Sequence, residues 1–159
     1  STMVLLPLIR ECTEVPIIAA GGICDGPTMA AAFAMGAEGV QLGTAMLSCT
    51  DSPVHSNWKN AIYEGKETDT VFLNQQGRPA LRAMRTERTG ELELMGQFQP
   101  FEHMANILDL YFGGDLEAAI PLTGQVMGRI NEARSAVEIV ETTMEGFHSC
   151  LAGLQGQYA

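Results

Sequence analysis

The twelve residues Val15 to Gly26, VPIIAAGGICDG, constrain this chain more than any other stretch: an apolar run stops on two glycines, and helix-starting residues follow at once. Val15 to Ala20 is almost continuously apolar with β-branched members, the pattern of a strand buried on both faces in a parallel sheet. Asp25 suits an N-cap and Pro27 a first helical turn, so a helix is expected from Pro27 to Met35, ended by Gly36. Gly39 to Gly43 then reads as a second short strand. Strand, helix and strand within about thirty residues form a βαβ unit, with parallel strands and a right-handed crossover.

Both strands end in glycine at their C-terminal tips, Gly21–Gly22 in the first and Gly43 in the second. Ligands of parallel α/β folds sit at that edge. A phosphate there needs several N–H donors converging on it, and a Cβ on the loop would block the approach. Glycine removes the obstruction and permits positive φ. The helix beginning at Asp25–Pro27 would add its positive end. The second tip would add the N–H groups of Gly43 and Thr44 and the Thr44 hydroxyl. The plainer alternative is a tight strand-to-helix turn at Gly21–Gly22 and a packing glycine at 43; two adjacent glycine tips favour the phosphate.

Charge narrows the ligand. A formal net charge of −10 over 159 residues argues against nucleic acid and anionic membranes, whose phosphates demand a basic surface. An anion bound here must be held locally, largely by neutral backbone donors. Cys12, Cys24, Cys49 and Cys150 are widely spaced with no C-x-x-C, which speaks against zinc and for reduced thiols in the cytoplasm. No stretch approaches the ~18 apolar residues of a membrane span, and a soluble chain is expected.

Elsewhere, residues 3–12 read as the end of an amphipathic helix in which Pro7 is tolerable only in the first turn. SPVHSNWKNAIYEG reads as a capped helix and TDTVFLN as extended. Arg78, Arg82, Arg85 and Arg88, spaced four, three and three, share a face if their segment is helical. Interleaved with Glu87 and Glu91, that face reads as solvated and salt-bridged, or as a dock for an anionic group. PFEHMANILDLYFGGD is a further helical pattern broken at Gly113–Gly114. The last stretch, SAVEIVETTMEGFHSCLAGL, is an amphipathic helix with Val137, Val140, Met144 and Phe147 or His148 in register. Gly124–Gln125 is a hinge or turn point. The three histidines, His55, His103 and His148, stand in no pattern of a catalytic base, and His148 reads as packed on the last helix.

PIIAAGGICDGPTMAAAFAMGAEGVQLGT closely resembles the FMN-phosphate segment of the nitronate monooxygenase family, formerly called 2-nitropropane dioxygenases, which includes the flavin-dependent enoyl-ACP reductase II. TDTVFLNQQGRPALRAMRTERTGELE is similar to the family's Gly-Arg-Pro-Ala-Arg region, although Leu81 precedes the arginine here. GDLEAAIPLTGQVMGRI is similar to a late segment of the family, and the terminal helix also matches. The resemblance implies an α/β fold: the C-terminal portion of a TIM (β/α)8 barrel, strands 7 and 8 with their helices, followed by a mostly helical region. Residues 1–65 would be the barrel segment carrying the phosphate loops, and residues 66–159 a helical lid of the same domain. FMN would be the cofactor, its phosphate held by Gly22, Gln41, Leu42, Gly43 and Thr44, with Ala20 and Gly21 lining the same loop. Gln125 would lie on the substrate side of the flavin.

The family's catalytic histidine sits in a loop immediately before the segment with which this chain begins, so no catalytic residue is expected here. The activity implied is oxidation of alkyl nitronates with oxygen, or reduction of an enoyl thioester by a reduced nicotinamide cofactor, or flavin binding without turnover. Two barrel strands cannot close a barrel. Self-association, or pairing with an N-terminal half, is therefore expected through exposed strand edges and apolar helix faces.

Overall fold

The computed structural model describes residues 1–158 and opens on the expected unit: α1 (Thr2–Cys12), β1 (Ile18–Ala20), α2 (Gly26–Ala34) and β2 (Gly39–Gln41). β1 and β2 pair in parallel, with Ile18, Ala19 and Ala20 opposite Gly39, Val40 and Gln41. α2 starts where the sequence places it. Asp25 accepts from the Thr28 N–H at 3.0 Å, and the Thr28 hydroxyl accepts from the Asp25 N–H at 3.1 Å, a reciprocal capping box.

Two expectations fail in this first unit. β1 is three residues long and buries one face: Ala19 is 1% exposed, whereas Ile18 is 69% exposed. Only β2 flanks it among the described residues, so its outer edge and the Ile18 face have no cover. Pro7 lies beyond the first turn of α1, inside the helix, and removes a backbone donor there. α1 is held to the core chiefly through Leu6, while Met3, Val4, Leu5 and Leu8 face outward.

After β2 come α3 (Thr44–Ser48), α4 (Ser56–Glu64), β3 (Thr70–Leu73), β4 (Leu81–Met84) and α5 (Glu87–Met95). β3 and β4 form an antiparallel hairpin in which Thr70, Phe72 and Leu73 lie opposite Met84, Arg82 and Leu81. Ala83 also bridges Leu122, so residues 121–123 line the other side of β4. The arginine stripe is therefore not one helical face. Arg82 lies within β4, Arg88 lies on α5, and Arg78 belongs to the turn between β3 and β4. Alternation along a strand, not a 3.6-residue repeat, governs this segment. The acidic partners also differ from Glu87 and Glu91: Arg85 pairs with Glu93 at 3.1 Å, and Arg88 donates to the Glu117 carbonyl.

The stretch expected as a helix around Phe101–Phe112 is a succession of tight turns. A 3-10 turn (Pro100–His103) and a π turn (Asp109–Gly113) are joined by bonds spanning three residues, such as Ile107 N–H to the Met104 carbonyl. A second 3-10 turn (Gln125–Arg129) precedes α6 (Ala136–Tyr158).

α6 packs on α2, the most extensive contact between elements. Its buried positions are Ile139 and Thr143, with Gly146 set directly against Gly26. Phe147 meets Phe33 at 5.1 Å between ring centroids. The stripe of Val137, Val140 and Met144 is instead exposed, and so is His148. Small residues decide the contact here, because only they let two helix backbones approach so closely.

Asp25 also ties α2 to the second 3-10 turn through an ion pair with Arg129. Burial pushes its carboxyl up, but hydrogen bonds from Arg129 and Thr28 outweigh that and hold it below its ordinary 3.8. Its lowered value stabilises the fold fully above pH 3.8, and the contribution is lost as pH falls through the folded-state value. Asp25→Asn is expected to lower stability at neutral pH by about 1 kcal/mol or less. The gap to wild type should close in urea titrations taken below pH 3.8. A Cβ at Gly26 would fall 2.1 Å from the Gly146 backbone, whereas at Gly153 it meets nothing within 4 Å. Gly26→Ala should therefore destabilise by about 1–3 kcal/mol or more. Gly153→Ala, within exposed helix, should stabilise by about 0.5–1 kcal/mol in the same denaturation experiment.

Candidate functional site

The tips of β1 and β2 lie side by side because their strands are parallel and in register. Gly21 and Gly22 have φ of 97° and 81°, which turns the chain sharply out of β1. Neither donates its N–H to a protein acceptor among the described residues, and the same holds for Gly43 and Thr44. Gly43 has an ordinary φ of −92°, and a Cβ built on it meets nothing within 4 Å. Nothing in the chain's own packing or backbone conformation requires glycine there.

These tips border a groove with two lobes. The smaller, about 400 Å3, is lined by Ala20, Gly21, Gly22, Gln41, Gly43 and Thr44 on one side. Its far wall is Arg82, Tyr111 and the segment Leu122, Thr123 and Gly124. The larger lobe, about 780 Å3, continues past Gly21 and Gly22 to Thr28, Ala31, Phe72 and Gln125. Of the expected phosphate residues, Leu42 alone does not line the groove: its side chain packs between two clusters of the hydrophobic core.

Thr44 links the two walls. Its hydroxyl accepts from the Gly124 N–H at 3.0 Å, which leaves its own hydrogen to donate into the groove. The far wall is fixed from behind. Trp58, fully buried, donates its indole N–H to the Thr123 hydroxyl at 3.2 Å, and its ring meets Tyr111 edge-on at 5.0 Å. The positive end of α2 is less available than the sequence suggests. The N–H groups of Cys24 and Asp25 both donate to Thr28, and the Asp25 carboxylate occupies the cap.

Tyr111 and Thr123 are groove residues that the sequence does not single out, and Arg82, offered only as one of four arginines on a helical face, reaches the groove from a strand instead. For Arg82 a signal was present: the extended stretch TVFL and the alternating LRAM flank the turn-forming NQQGRP, which together spell a hairpin. Tyr111 and Thr123 reach the groove through non-local packing and carry no local signature.

No histidine lines either lobe. His55 caps α4, its Nδ1 accepting from the Asn57 N–H at 3.1 Å. His103 meets the Phe98 ring edge-on, and His148 lies exposed beside Phe147. No helix among the described residues is long and apolar enough to cross a membrane.

Comparison with known proteins places this geometry. The nitronate monooxygenase family profile matches residues 1–146. A probable nitronate monooxygenase of Staphylococcus saprophyticus is 46% identical over 80 residues, which is 50% of this chain and 22% of that protein. One from Staphylococcus aureus strain Newman is 49% identical over 71 residues, 45% of this chain and 20% of that protein. Among solved structures, FabK from Thermotoga maritima superposes with a TM-score of 0.89 at 32% identity, covering 99% of this chain and 52% of its own. Nitroalkane oxidase from Streptomyces ansochromogenes shares the fold, with a TM-score of 0.82 at 24% identity over 97% of this chain and 45% of its own. The matches thus span about a fifth of the curated relatives and about half of the solved neighbours. With a family profile matched across nearly its whole length and an α/β fold shared with these structures, the chain belongs to the nitronate monooxygenase family.

Proposed function

We propose that the groove holds the phosphate end of FMN and that the chain is the C-terminal portion of a TIM-barrel flavoenzyme oxidising alkyl nitronates with oxygen. In this reading β1 and β2 are barrel strands 7 and 8. Residues 1–65 carry the phosphate loops, residues 66–159 cover them, and the setting is cytoplasmic. The observation that carries the reading is Gly43, which lines the smaller lobe and where an added Cβ would meet no protein atom within 4 Å. Glycine at that position is explained by a ligand that must approach the backbone.

The residues fit a phosphate monoester. Gly21, Gly22, Gly43 and Thr44 offer uncommitted N–H groups, and the Thr44 hydroxyl offers a further donor. Ala20 and Gln41 border the same lobe, and Leu42 holds the β2 tip to the core. Bound FMN would supply the two-electron redox chemistry, while these residues anchor and orient it. No side chain of the chain is assigned as the base, because none of its histidines reaches the groove.

The test is direct. The purified chain should retain added FMN, seen as a yellow visible spectrum and as quenching of Trp58, the single tryptophan, which lies behind the groove wall. It should show no nitronate-dependent oxygen uptake on its own. Uptake by the chain alone would overturn the claim that the base lies outside these residues, and absence of FMN binding would overturn the proposal. Gly43→Ala should weaken FMN about tenfold or more, equivalent to about 1.4 kcal/mol. Its unfolding midpoint should stay within the range of a surface substitution, about 0.5 kcal/mol. NADPH-dependent reduction of an enoyl thioester, assayed in parallel with an N-terminal half supplied, separates nitronate oxidation from the reductase activity.

The same reading accounts for the exposed apolar surface on α1 and the open edge of β1. In a complete barrel both would be covered, so the isolated chain should self-associate. Sedimentation velocity should find dimers or larger species. A lone 17.1 kDa particle would contradict the expectation.

A further inference from the structure

We infer that Arg82 is the charge that selects a phosphate in the groove, an assignment resting on the reading of the small lobe as a phosphate site. Arg82 lines both lobes where they meet at Gly21 and Gly22. Its placement follows from the hairpin. Arg82 lies directly opposite Phe72, and Thr70 is two residues from Phe72, so all three share one face of the two-stranded ribbon. The opposite face, with Val71, Leu73 and Ala83, is sunk in the core and fixes the ribbon's orientation.

Two contacts preset the guanidinium: it stacks over the Phe72 ring at 5.3 Å from the centroid and donates to the Thr70 hydroxyl at 3.0 Å. The Arg82 main-chain carbonyl, accepting from the Thr123 N–H at 3.3 Å, fixes the strand that carries it. None of these neutralises the guanidinium. Among the described residues no carboxylate lies within ion-pair distance of Arg82, although Asp and Glu outnumber Lys and Arg by 19 to 9. Neither lobe has a single acidic residue in its lining. A positive group facing uncommitted N–H donors across one lobe, in a groove lined by no carboxylate on an otherwise acidic protein, is a site for a compact dianion. A guanidinium also presents paired donors that match two phosphate oxygens.

The chemistry recognised is a phosphate monoester or its free anion, and the test separates the two sources. FMN and riboflavin differ only in the phosphate. Arg82→Gln should weaken FMN binding about tenfold or more while leaving riboflavin within about twofold, as expected for a charge-assisted contact to that group alone. Arg82→Lys should retain part of the difference, and raising the salt concentration should erase more affinity from wild type than from Arg82→Gln. Phe72→Leu should fall between wild type and Arg82→Gln. Equal losses for both flavins, or no loss for FMN, would overturn the assignment. If wild type binds no flavin, the FMN reading fails, and inorganic phosphate then tests the assignment alone. Thermal stabilisation by phosphate that disappears in Arg82→Gln supports it; no stabilisation of wild type overturns it. Circular dichroism and Trp58 emission check that each variant is folded, and Arg82→Lys serves if Arg82→Gln is not.

Discussion

The hydrogen bond from the Gly124 N–H to the Thr44 hydroxyl joins two parts of the chain that are 80 residues apart. It acts beside the Asp25–Arg129 ion pair, the packing of α2 on α6 and a shared hydrophobic core, and of these contacts it lies at the groove itself. On one side lie the glycine tips of β1 and β2; on the other, Arg82 and the segment 122–124. The Trp58–Thr123 bond holds that segment from behind, and the bridge between Ala83 and Leu122 holds it laterally. Each contact is modest, about 0.5–1.5 kcal/mol for a typical hydrogen bond. Together they position a backbone that carries no regular structure of its own.

The same wall bounds a groove with no acidic residue in its lining, on an otherwise acidic protein. Several carboxylates are tied up away from it: Asp25 with Thr28 and Arg129, Glu93 with Arg85, Glu117 with the N–H groups that open α5. The net charge of −10 therefore describes the outer surface and not the groove. Local donors decide binding because a potential from distant surface charges is screened within about 10 Å at ordinary ionic strength, whereas contacts in the groove are not.

The sequence disclosed what rests on local chemistry. The Asp25 cap, the glycine tips and the parallel pairing of β1 with β2 follow from residue types within a few positions of one another. It was less legible where spacing admits two periods. Arg78, Arg82, Arg85 and Arg88 fit a helical repeat, yet strand alternation prevails because Val71, Leu73 and Ala83 are buried on one face of the hairpin. On α6 the expected register meets the contact face only at Phe147, for a related reason. Apolarity points to Val137, Val140 and Met144, but the helix docks through Ile139, Thr143 and Gly146, where close approach to Gly26 outweighs side-chain hydrophobicity. Leu42, grouped with the phosphate residues by resemblance, turns its side chain into the core, so only its backbone remains near the tips.

The distribution of exposed apolar surface has a structural meaning of its own. A three-residue strand with one neighbour buries a single face, and α1 presents Met3, Val4, Leu5 and Leu8 outward while anchored through Leu6. These surfaces lie on the β1 side, and the larger lobe of the groove opens toward the same region, lined in part by Thr2 and Met3. The smaller lobe, by contrast, draws its walls from both strand tips, the hairpin and the segment 122–124. The residues proposed to hold a phosphate all border that smaller lobe or its strand tips, so the proposed anchor draws on this chain's own residues. Enclosing a flavin ring and excluding water from it needs walls on the open side. On the proposed reading, cofactor anchoring and redox turnover would be separable by geometry, with the boundary along the β1 edge.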